Sequence, residues 1–381
     1  MTVTNFLPAQ YTKDGQLKIN HNYLTQQFAD CDVILQKIKQ IVLNNDFTLG
    51  KSVDDFENKY KNLVNAKHAI GVGSGTDALF LSLKTLGIRE GDEIITTPFT
   101  FYATIGAIVT AGAKPIFADV LNDYTIDPNH IEPKITAKTK AILPVHWAGK
   151  PCRMDEINII AKKNNLFVVE DACHAIQATY KNRFAGTLGD IGCFSFHPLK
   201  NLNVWGDGGI ITTNNDDVAN QLRLMRNHGL KNRDECVQFS YNSRLDTIQA
   251  VVADHLLSKI EYITDSRIKN ANYLDHALKN IPSIFIPTRE SDIKQVYHLY
   301  SICCENRDAL QKNLIENGID AKVHYPIPMH LQPAAKTFGY QKGDFPMTEK
   351  ICASTLSLPV HEFISRDDLE YMVSTIKRFY A

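Results

Sequence analysis

The interpretation of this chain of 381 residues depends on two segments: Leu166-Phe-Val-Val-Glu-Asp-Ala-Cys-His174 and Gly192-Cys-Phe-Ser-Phe-His-Pro-Leu-Lys200. Each begins as a short, almost continuous apolar run, which is typical of a strand covered on both faces of a sheet. The first run ends in the acidic pair Glu170-Asp171, and the second leads into a loop that contains Lys200. Because ligands of open α/β sheets gather at the carboxyl ends of strands, both ends are candidate functional positions.

Similar β-rich runs alternate with helical patterns through the first two-thirds of the chain. The predicted strands are His68–Val72, Glu93–Thr97, Pro115–Val120, Ala141–His146, Leu166–Glu170, Gly192–Phe196 and Ile210–Thr213. Helical patterns between them include Asp77–Thr85, Tyr102–Ala111 and Met154–Asn164. This alternation predicts an α/β fold, a three-layer α/β/α domain with a mainly parallel seven-stranded sheet.

The pattern changes near residue 250. It is helical, without a strong breaker, from Leu245 to Ile281, and short strands and helices return after Pro282. The chain is also longer than most single hydrophobic cores. We therefore predict a large domain over residues 1–250, with an N-terminal helical segment at Val33–Leu43. A long helix joins it to a smaller C-terminal α/β domain over residues 251–381.

Composition excludes several classes of protein. A formal net charge of −1 gives no global argument for nucleic acid or an anionic membrane as partner. No secretory signal is recognised at the start, and the longest apolar runs are too short to cross a bilayer. The eight cysteines contain no C-x-x-C pair, which predicts reduced thiols in a cytoplasmic protein, with neither disulfides nor a structural metal site.

The lysine and the carboxylate together match the needs of pyridoxal phosphate (PLP). A lysine amine forms a Schiff base with its aldehyde, and a carboxylate keeps the pyridine nitrogen protonated. Neighbouring strand residues point to opposite faces, and we choose Asp171 over Glu170 because His174 follows closely enough to join the same site. Taken singly, a lysine is usually a solvated charge, and an acidic residue at a strand end is usually a helix cap.

A glycine-rich run, Gly71-Val-Gly-Ser-Gly-Thr-Asp77, follows a predicted strand and opens a helix. Backbone N–H groups at such a helix start favour a phosphate. The dinucleotide fingerprint G-x-G-x-x-G would need glycine where Thr76 stands. A plain capped helix remains an equal alternative for this run. The aromatic run Thr97–Tyr102 after the next strand can stack on a planar ring or pack in the core.

Ordered motifs along nearly the whole chain resemble those of the DegT/DnrJ/StrS family of PLP-dependent sugar aminotransferases, within the fold-type I aspartate aminotransferase superfamily. The motifs are Phe47-Thr-Leu-Gly50, Ser74-Gly-Thr76, Gly91-Asp-Glu93, Thr100-Phe101, Val145-His146, Glu170-Asp171-Ala172, Gly189-Asp190, Ser195-Phe196, Lys200-Asn-Leu202, Gly206-Asp-Gly-Gly209, Arg226-Asn-His-Gly229, Asn242-Ser-Arg244, His324-Tyr-Pro326 and Leu358-Pro359.

This resemblance implies that Lys200 binds the cofactor covalently and that Asp171 is the partner of its pyridine nitrogen. His174 then contacts the ring hydroxyl, and Phe101 stacks on the ring. The implied phosphate contacts are Gly75, Thr76 and Ser195.

The resemblance also implies a homodimer with shared active sites, because Asn242 reaches the phosphate of the neighbouring subunit's cofactor. Arg244, His324 and Tyr325 are implied on the sugar-nucleotide side.

The implied reaction moves an amino group from an amino acid, L-glutamate by family analogy, to a nucleotide-linked keto-sugar. The pathway expected is amino-sugar and O-antigen polysaccharide biosynthesis. A family branch with histidine at the lysine position becomes a dehydratase, which Lys200 argues against. The run Lys200–Gly209 is similar to members that aminate a 3-keto sugar, here a 3-keto-6-deoxy sugar, but Asn203 and Trp205 depart from that pattern.

Other functions stay open. The same chemistry on a 4-keto sugar or a cyclitol ketone is one alternative, and a non-catalytic regulatory homologue is another. A hydrolase using Cys173-His174 or Ser195 is disfavoured because adjacent side chains at a strand end point apart and no oriented triad is visible.

Overall fold

The computed structural model describes residues 17–381. The start of the chain, where we predicted no secretory signal, lies outside these residues. The strands are β1 (His68–Val72), β2 (Glu93–Thr96), β3 (Lys114–Phe117), β4 (Thr139–Ile142), β5 (Phe167–Asp171), β6 (Thr179–Tyr180), β7 (Arg183–Phe184), β8 (Ile191–Ser195), β9 (Gly209–Thr213), β10 (Ile284–Phe285), β11 (Ile293–Lys294), β12 (Tyr300–Cys304) and β13 (Thr355–Leu358).

The helices lie between and around these strands. They are α1 (Leu24–Gln27), α2 (Cys31–Leu43), α3 (Lys51–Leu63), α4 (Gly75–Thr85), α5 (Tyr102–Thr110), α6 (Met154–Asn164), α7 (Asp216–Met225), α8 (Thr247–Leu257), α9 (Ile260–Leu278), α10 (Arg307–Glu316), α11 (Pro346–Ser354) and α12 (Arg366–Tyr380).

A seven-stranded sheet in the order β1-β9-β8-β5-β4-β2-β3 forms the central layer. Strands β8, β5, β4, β2 and β3 pair in parallel, whereas β9 runs antiparallel to both β8 and β1. The predicted mainly parallel sheet of seven strands is confirmed. The carboxyl ends of β5 and β8 lie side by side, which brings Asp171 and Ser195 to one edge.

Alternate residues of each strand enter different cores on the two faces of the sheet. Val169 packs in a core that includes residues of α4, α5 and α7, and its neighbour Val168 packs against α6 on the other face. Ile211 and Ile210 divide in the same way, with Ile210 facing α3 and α8. This burial on both faces is why the strands read as continuous apolar runs, and it makes the three-layer arrangement that we predicted.

The C-terminal part has its own antiparallel sheet, β10-β12-β13. Its apolar core also includes side chains of α9, α10 and α12. The predicted long helix over Leu245–Ile281 is wrong, since α8 ends before Ser258 and α9 begins at Ile260. At the break, Lys259 N–H bonds to the Leu256 oxygen at 2.9 Å, three residues back, in place of an α-helical bond four residues back. The domain boundary at residue 250 stays a prediction.

The N-terminal helical segment predicted at Val33–Leu43 is α2, which contacts α8. Before it, a backbone bridge between Ile19 and Ile319 ties the start of the described chain to the C-terminal part. Within residues 17–381 no helix has both the length and the apolar composition to cross a membrane. All eight cysteines of the sequence are free thiols.

Candidate active site

Asp171 ends strand β5, and its carboxylate is buried at 6% exposure. Oδ2 accepts a hydrogen bond from Thr104 Oγ1 at 2.8 Å, and Oδ1 accepts one from the Cys173 N–H at 3.2 Å. The Thr100 hydroxyl lies 2.7 Å from that of Thr104 and holds it in place. Within the described residues Asp171 has no ion-pair partner, so acceptor capacity remains for a further cationic N–H group.

Glu170, the other member of the acidic pair, points to the opposite face and is fully buried. Its two oxygens are occupied by hydrogen bonds of 2.6–2.8 Å from His146 Nε2 and from the N–H groups of Gly186, Leu188 and Gly189. Glu170 is therefore saturated by donors from the protein, whereas Asp171 keeps acceptor capacity, and the choice of Asp171 as cofactor partner stays a prediction.

Lys200 follows β8 in a turn and lines a small cavity of about 10 Å³ together with Cys173, His174 and Ser195. Burial lowers the pKa of the Lys200 amine, while the nearby Cys173 and Asp171 oppose the shift. A lowered pKa makes a lysine a better nucleophile and proton carrier near neutral pH. The structure thus brings the predicted lysine and the predicted carboxylate into one electrostatic environment.

His174 lies beside this lysine and is buried. Its Nδ1 accepts a hydrogen bond from the Ala148 N–H at 3.2 Å, which places the proton of the neutral ring on Nε2. Burial, followed by the charge of Lys200, lowers the pKa of His174 well below its ordinary value. The ring centre lies 4.3 Å from that of His298, with the two planes tilted by 34°, and nothing in the sequence indicated His298. His174 is therefore a neutral hydrogen-bond donor.

Gly75 opens helix α4 at the edge next to Ser195. A Cβ on Gly75 would lie 2.6 Å from Ser195 Cβ and 3.1 Å from Cys173 Sγ, so only glycine allows this approach. The Ser74 side chain caps the Asp77 N–H at 3.0 Å, and the first helical bond runs from Ala78 to Ser74. The N–H groups of Gly75 and of the exposed Thr76 are left for an anion.

Tyr325 and Phe101 belong to one aromatic group with Phe99. The ring of Tyr325 lies 5.7 Å from that of Phe99 and 6.3 Å from that of Phe101, and Phe101 is 51% exposed. Burial raises the pKa of Tyr325, and the charges of Asp171 and Cys173 act in the same direction.

His324 precedes Tyr325 and is bonded to Ser357 Oγ at 2.9 Å. Burial, with contributions from His21 and Lys200, lowers the pKa of His324 to about 3. These interactions bring His324 into the electrostatic environment of Lys200 as a neutral ring.

Asn242 and Arg244 do not join this group. They line a separate cavity of about 260 Å³, together with Asp77 and with Phe47 and Thr48. Asn242 is exposed, and Arg244 donates to Asn227 Oδ1 at 3.1 Å. Within one chain, the two residues therefore lie apart from the cavity around Lys200.

The arrangement around Lys200 fits the group that the sequence implies. A buried carboxylate with free acceptor capacity suits a protonated pyridine nitrogen, and the Gly75–Ser195 contact leaves a helix start that suits a phosphate. Among residues 17–381, no three His, Cys, Asp or Glu side chains are grouped to hold a metal ion. Thr104 and His298 were missed because nothing in their sequence context marks them, and only the fold brings them to Asp171 and His174.

The family model of the DegT/DnrJ/EryC1/StrS aminotransferases matches residues 30–377. The chain belongs to this family. A dTDP-3-amino-3,6-dideoxy-alpha-D-galactopyranose transaminase of Aneurinibacillus thermoaerophilus is 41% identical, over 91% of this chain and 95% of that protein. A pleiotropic regulatory protein of Geobacillus stearothermophilus is 39% identical, over 91% of this chain and 94% of that protein.

Solved structures of the same family share the fold. DesV of S. venezuelae, in complex with a ketimine intermediate, superposes with a TM-score of 0.91 at 33% identity, covering 96% of this chain and 98% of that one. These findings confirm the predicted family, the fold type, a PLP-dependent transaminase as the enzyme class, and PLP as cofactor. The substrates and the roles of individual residues are considered next.

Proposed function

We propose that this family member transfers an amino group from L-glutamate to the 3-keto group of a 6-deoxy sugar linked to a nucleoside diphosphate. The observation that carries the proposal is Lys200 at a cavity shared with Cys173 and His174, next to a buried Asp171 that forms no ion pair within residues 17–381. The 41% identical relative, named for a 3-amino-3,6-dideoxy sugar on dTDP, supports the position of the ketone and the class of nucleotide.

When bound, PLP supplies an electron sink that stabilises the carbanion formed at the donor carbon. Asp171 would hold positive charge at the pyridine nitrogen, with Thr104 orienting one oxygen of that carboxylate. The Lys200 amine would hold the cofactor covalently at rest; once freed, Lys200 Nζ would accept the proton from the donor's carbon and pass it on to the cofactor. His174 Nε2–H would donate to the ring hydroxyl, and Phe101 would cover one ring face.

The phosphate is held in this proposal by Gly75, Thr76 and Ser195 at the start of α4. Asn242 and Arg244 face a cavity of their own, which supports a role toward a second copy of the chain: Asn242 to the partner's cofactor phosphate and Arg244 to the sugar nucleotide. The enzyme is then a homodimer with shared sites. His324 and Tyr325 face the sugar from the chain that carries Lys200.

Substituting Thr104 with valine keeps the shape of the side chain but leaves Asp171 Oδ2 without its 2.8 Å hydrogen bond. A hydrogen bond to a charged group contributes about 1.5–3 kcal/mol, so we expect kcat to fall roughly 10- to 100-fold. Steady-state kinetics of Thr104→Val beside Thr104→Ser measure this. The serine variant keeps the hydroxyl and should retain most activity; equal losses in both would contradict the role of that hydroxyl.

Substituting Gly75 with alanine places a methyl group 2.6 Å from Ser195 Cβ, so the start of α4 must shift. Overpacking of this kind costs about 1–3 kcal/mol, and we expect the dissociation constant for PLP to rise roughly tenfold. Fluorescence titration of apo-protein with PLP measures it. Gly106→Ala, at an exposed glycine of α5 with no neighbouring atom within 4 Å and no positive φ, serves as the control. Unchanged affinity in Gly75→Ala would remove the helix start from the phosphate site.

Substrate is tested with a panel of ketones and purified enzyme. A 3-keto-6-deoxy sugar on dTDP should be aminated with a kcat/KM well above that for the 4-keto isomer or an inosose. The rate of amination with L-glutamate is monitored by measuring the 2-oxoglutarate that forms. Other amino acids are tested as donors in parallel with L-glutamate. Preference for the 4-keto sugar or the cyclitol would overturn the proposed acceptor and keep the transaminase chemistry.

The non-catalytic regulatory alternative gains support from the name of the 39% identical relative, but it conflicts with the transaminase class that the family and its relatives show. Against it stand Lys200, Asp171 and the glycine at position 75, all present and clustered. Amination of any sugar nucleotide at an ordinary enzymatic rate would decide against this role. O-antigen biosynthesis as the pathway, and a cytoplasmic location inferred from the free cysteines, remain part of the proposal.

A further inference from the structure

Asn203, one of the two positions that depart from the family pattern, is fully buried. Its Nδ2 donates to the Lys200 backbone oxygen at 2.9 Å and to Gln27 Oε1 at 2.7 Å. The N–H of Lys200 donates to the His197 oxygen at 2.8 Å. Both backbone polar groups of the reactive lysine are therefore held, and Asn203 holds one of them.

Gln27, the last residue of α1, connects Asn203 to a second pair of buried polar side chains farther from Lys200. Its side chain is buried at 4% exposure, and Nε2 donates to Glu362 Oε1 at 3.3 Å. The other oxygen of Glu362 lies 3.5 Å from Arg267 Nε, and both side chains are buried. A chain of buried polar contacts thus runs from Arg267 in α9 through Glu362, Gln27 and Asn203 to Lys200.

Trp205, the second position that departs from the family pattern, contacts the residue that follows Gln27. Its ring packs edge-on against Phe28 at 5.6 Å, directly after Gln27. Its backbone oxygen accepts a hydrogen bond from Gln249 at 2.8 Å. Both departures therefore contact the end of α1, at Gln27 and Phe28.

A local turn contact does not account for this arrangement. An asparagine that bonds a backbone oxygen three residues earlier is common in turns. Asn203 uses the same nitrogen for a second bond to Gln27, which is 176 positions away in the sequence and itself bonded to Glu362. Because buried polar groups in such a network depend on one another, loss of one member should disturb the next.

We propose that Gln27 and Asn203 act as one positioning unit for the Lys200 loop, residues 197–205. Through this unit, helix α1 and the Arg267–Glu362 pair hold the backbone of the reactive lysine in place. Neither residue touches substrate in this scheme. The inference uses the proposed function only in taking Lys200 as the reactive lysine.

Hydrogen–deuterium exchange of the apo-protein tests the link independently of activity. Gln27→Ala and Asn203→Ala should each raise amide exchange in residues 197–205 by about fivefold to tenfold, the effect of losing one buried hydrogen bond. The double variant should exchange no faster than either single variant, because both break the same link. Gln26→Ala, at an exposed neighbour on α1, is the matched control and should leave the loop unchanged.

Gln27→Met, which keeps the side-chain volume without the amide, replaces Gln27→Ala if that variant does not fold. Unchanged exchange in the 197–205 segment of a folded Gln27 variant would overturn the proposal. So would additive effects in the double variant.

A second readout separates positioning from stability. Well below the melting temperature, apo-protein of the Gln27 and Asn203 variants should capture PLP about tenfold more slowly than wild type. In turnover kcat should fall, with the KM of the amino donor within about twofold of wild type. Lower melting temperature with unchanged capture and kcat would make the contacts structural only. Failure of the wild type to capture PLP would instead sink the proposed function, while the exchange experiment still tests the link.

Discussion

Lys200→Ala should reduce transamination by about 10⁴-fold or more, because one substitution removes both the covalent anchor of the cofactor and the proton carrier. General acid–base catalysis alone contributes about 10²–10⁴-fold, and the loss of the nucleophile adds to it. The folded structure should change little, since the amine has no hydrogen-bond partner among the described residues and the turn is held by backbone contacts. Stopped assays with L-glutamate and a keto-sugar nucleotide measure the loss.

Lys162→Ala is the matched control, since Lys162 is exposed on α6 and has no ion pair within the described chain. The Lys162→Ala enzyme should retain the kcat of the wild type and the absorbance of its bound PLP. Full activity in Lys200→Ala would contradict the assignment of the reactive lysine, whatever the cofactor content of that variant.

Asp171→Asn should give the second largest loss. An asparagine has nearly the same shape and can still accept the bond from Thr104 at 2.8 Å, but it carries no charge to hold the pyridine nitrogen protonated. Removing one preorganised charge-stabilising group costs about 10²–10³-fold in kcat, and we expect a loss in that range. Kinetics of both half-reactions measure it, and both should slow because each passes through the same ring charge.

The control for this variant is Asp265→Asn, at an exposed carboxylate on α9 that forms no ion pair among the described residues. Its kcat should match wild type. An Asp171→Asn enzyme with kcat within about threefold of wild type would show that another group supplies the charge, since removal of the true partner costs far more.

Much of the fold follows from local sequence. The apolar runs before Asp171 and Lys200 are strands β5 and β8, and their burial on both faces explains why they read as continuous. The antiparallel direction of β9 was not predicted, because a strand buried on both faces has the same composition in either direction. Helix α7 was not among the predicted helices, and the break after Leu257 is not marked in the sequence by any Pro or Gly between Leu245 and Ile281.

The site is predictable where its residues follow strands, and not where contacts span long sequence distances. Asp171 and Ser195 are the last residues of β5 and β8, and His174 and Lys200 follow them closely, so their grouping follows from the sheet order. Thr104 reaches Asp171 from a helix 67 positions earlier, and its neighbours give no sign of it. In the sequence, Asn203 is visible only as a departure from the family pattern, because its partner Gln27 is brought to it by the fold.

The central claim is that the Lys200 amine, and no other, binds the cofactor aldehyde. Borohydride reduction of the enzyme with bound PLP, followed by peptide mass spectrometry, tests it most directly. The account predicts a stable cofactor adduct on the peptide that contains Lys200 and none on the other lysines. An adduct at a different lysine, in an enzyme that is active before reduction, would contradict it.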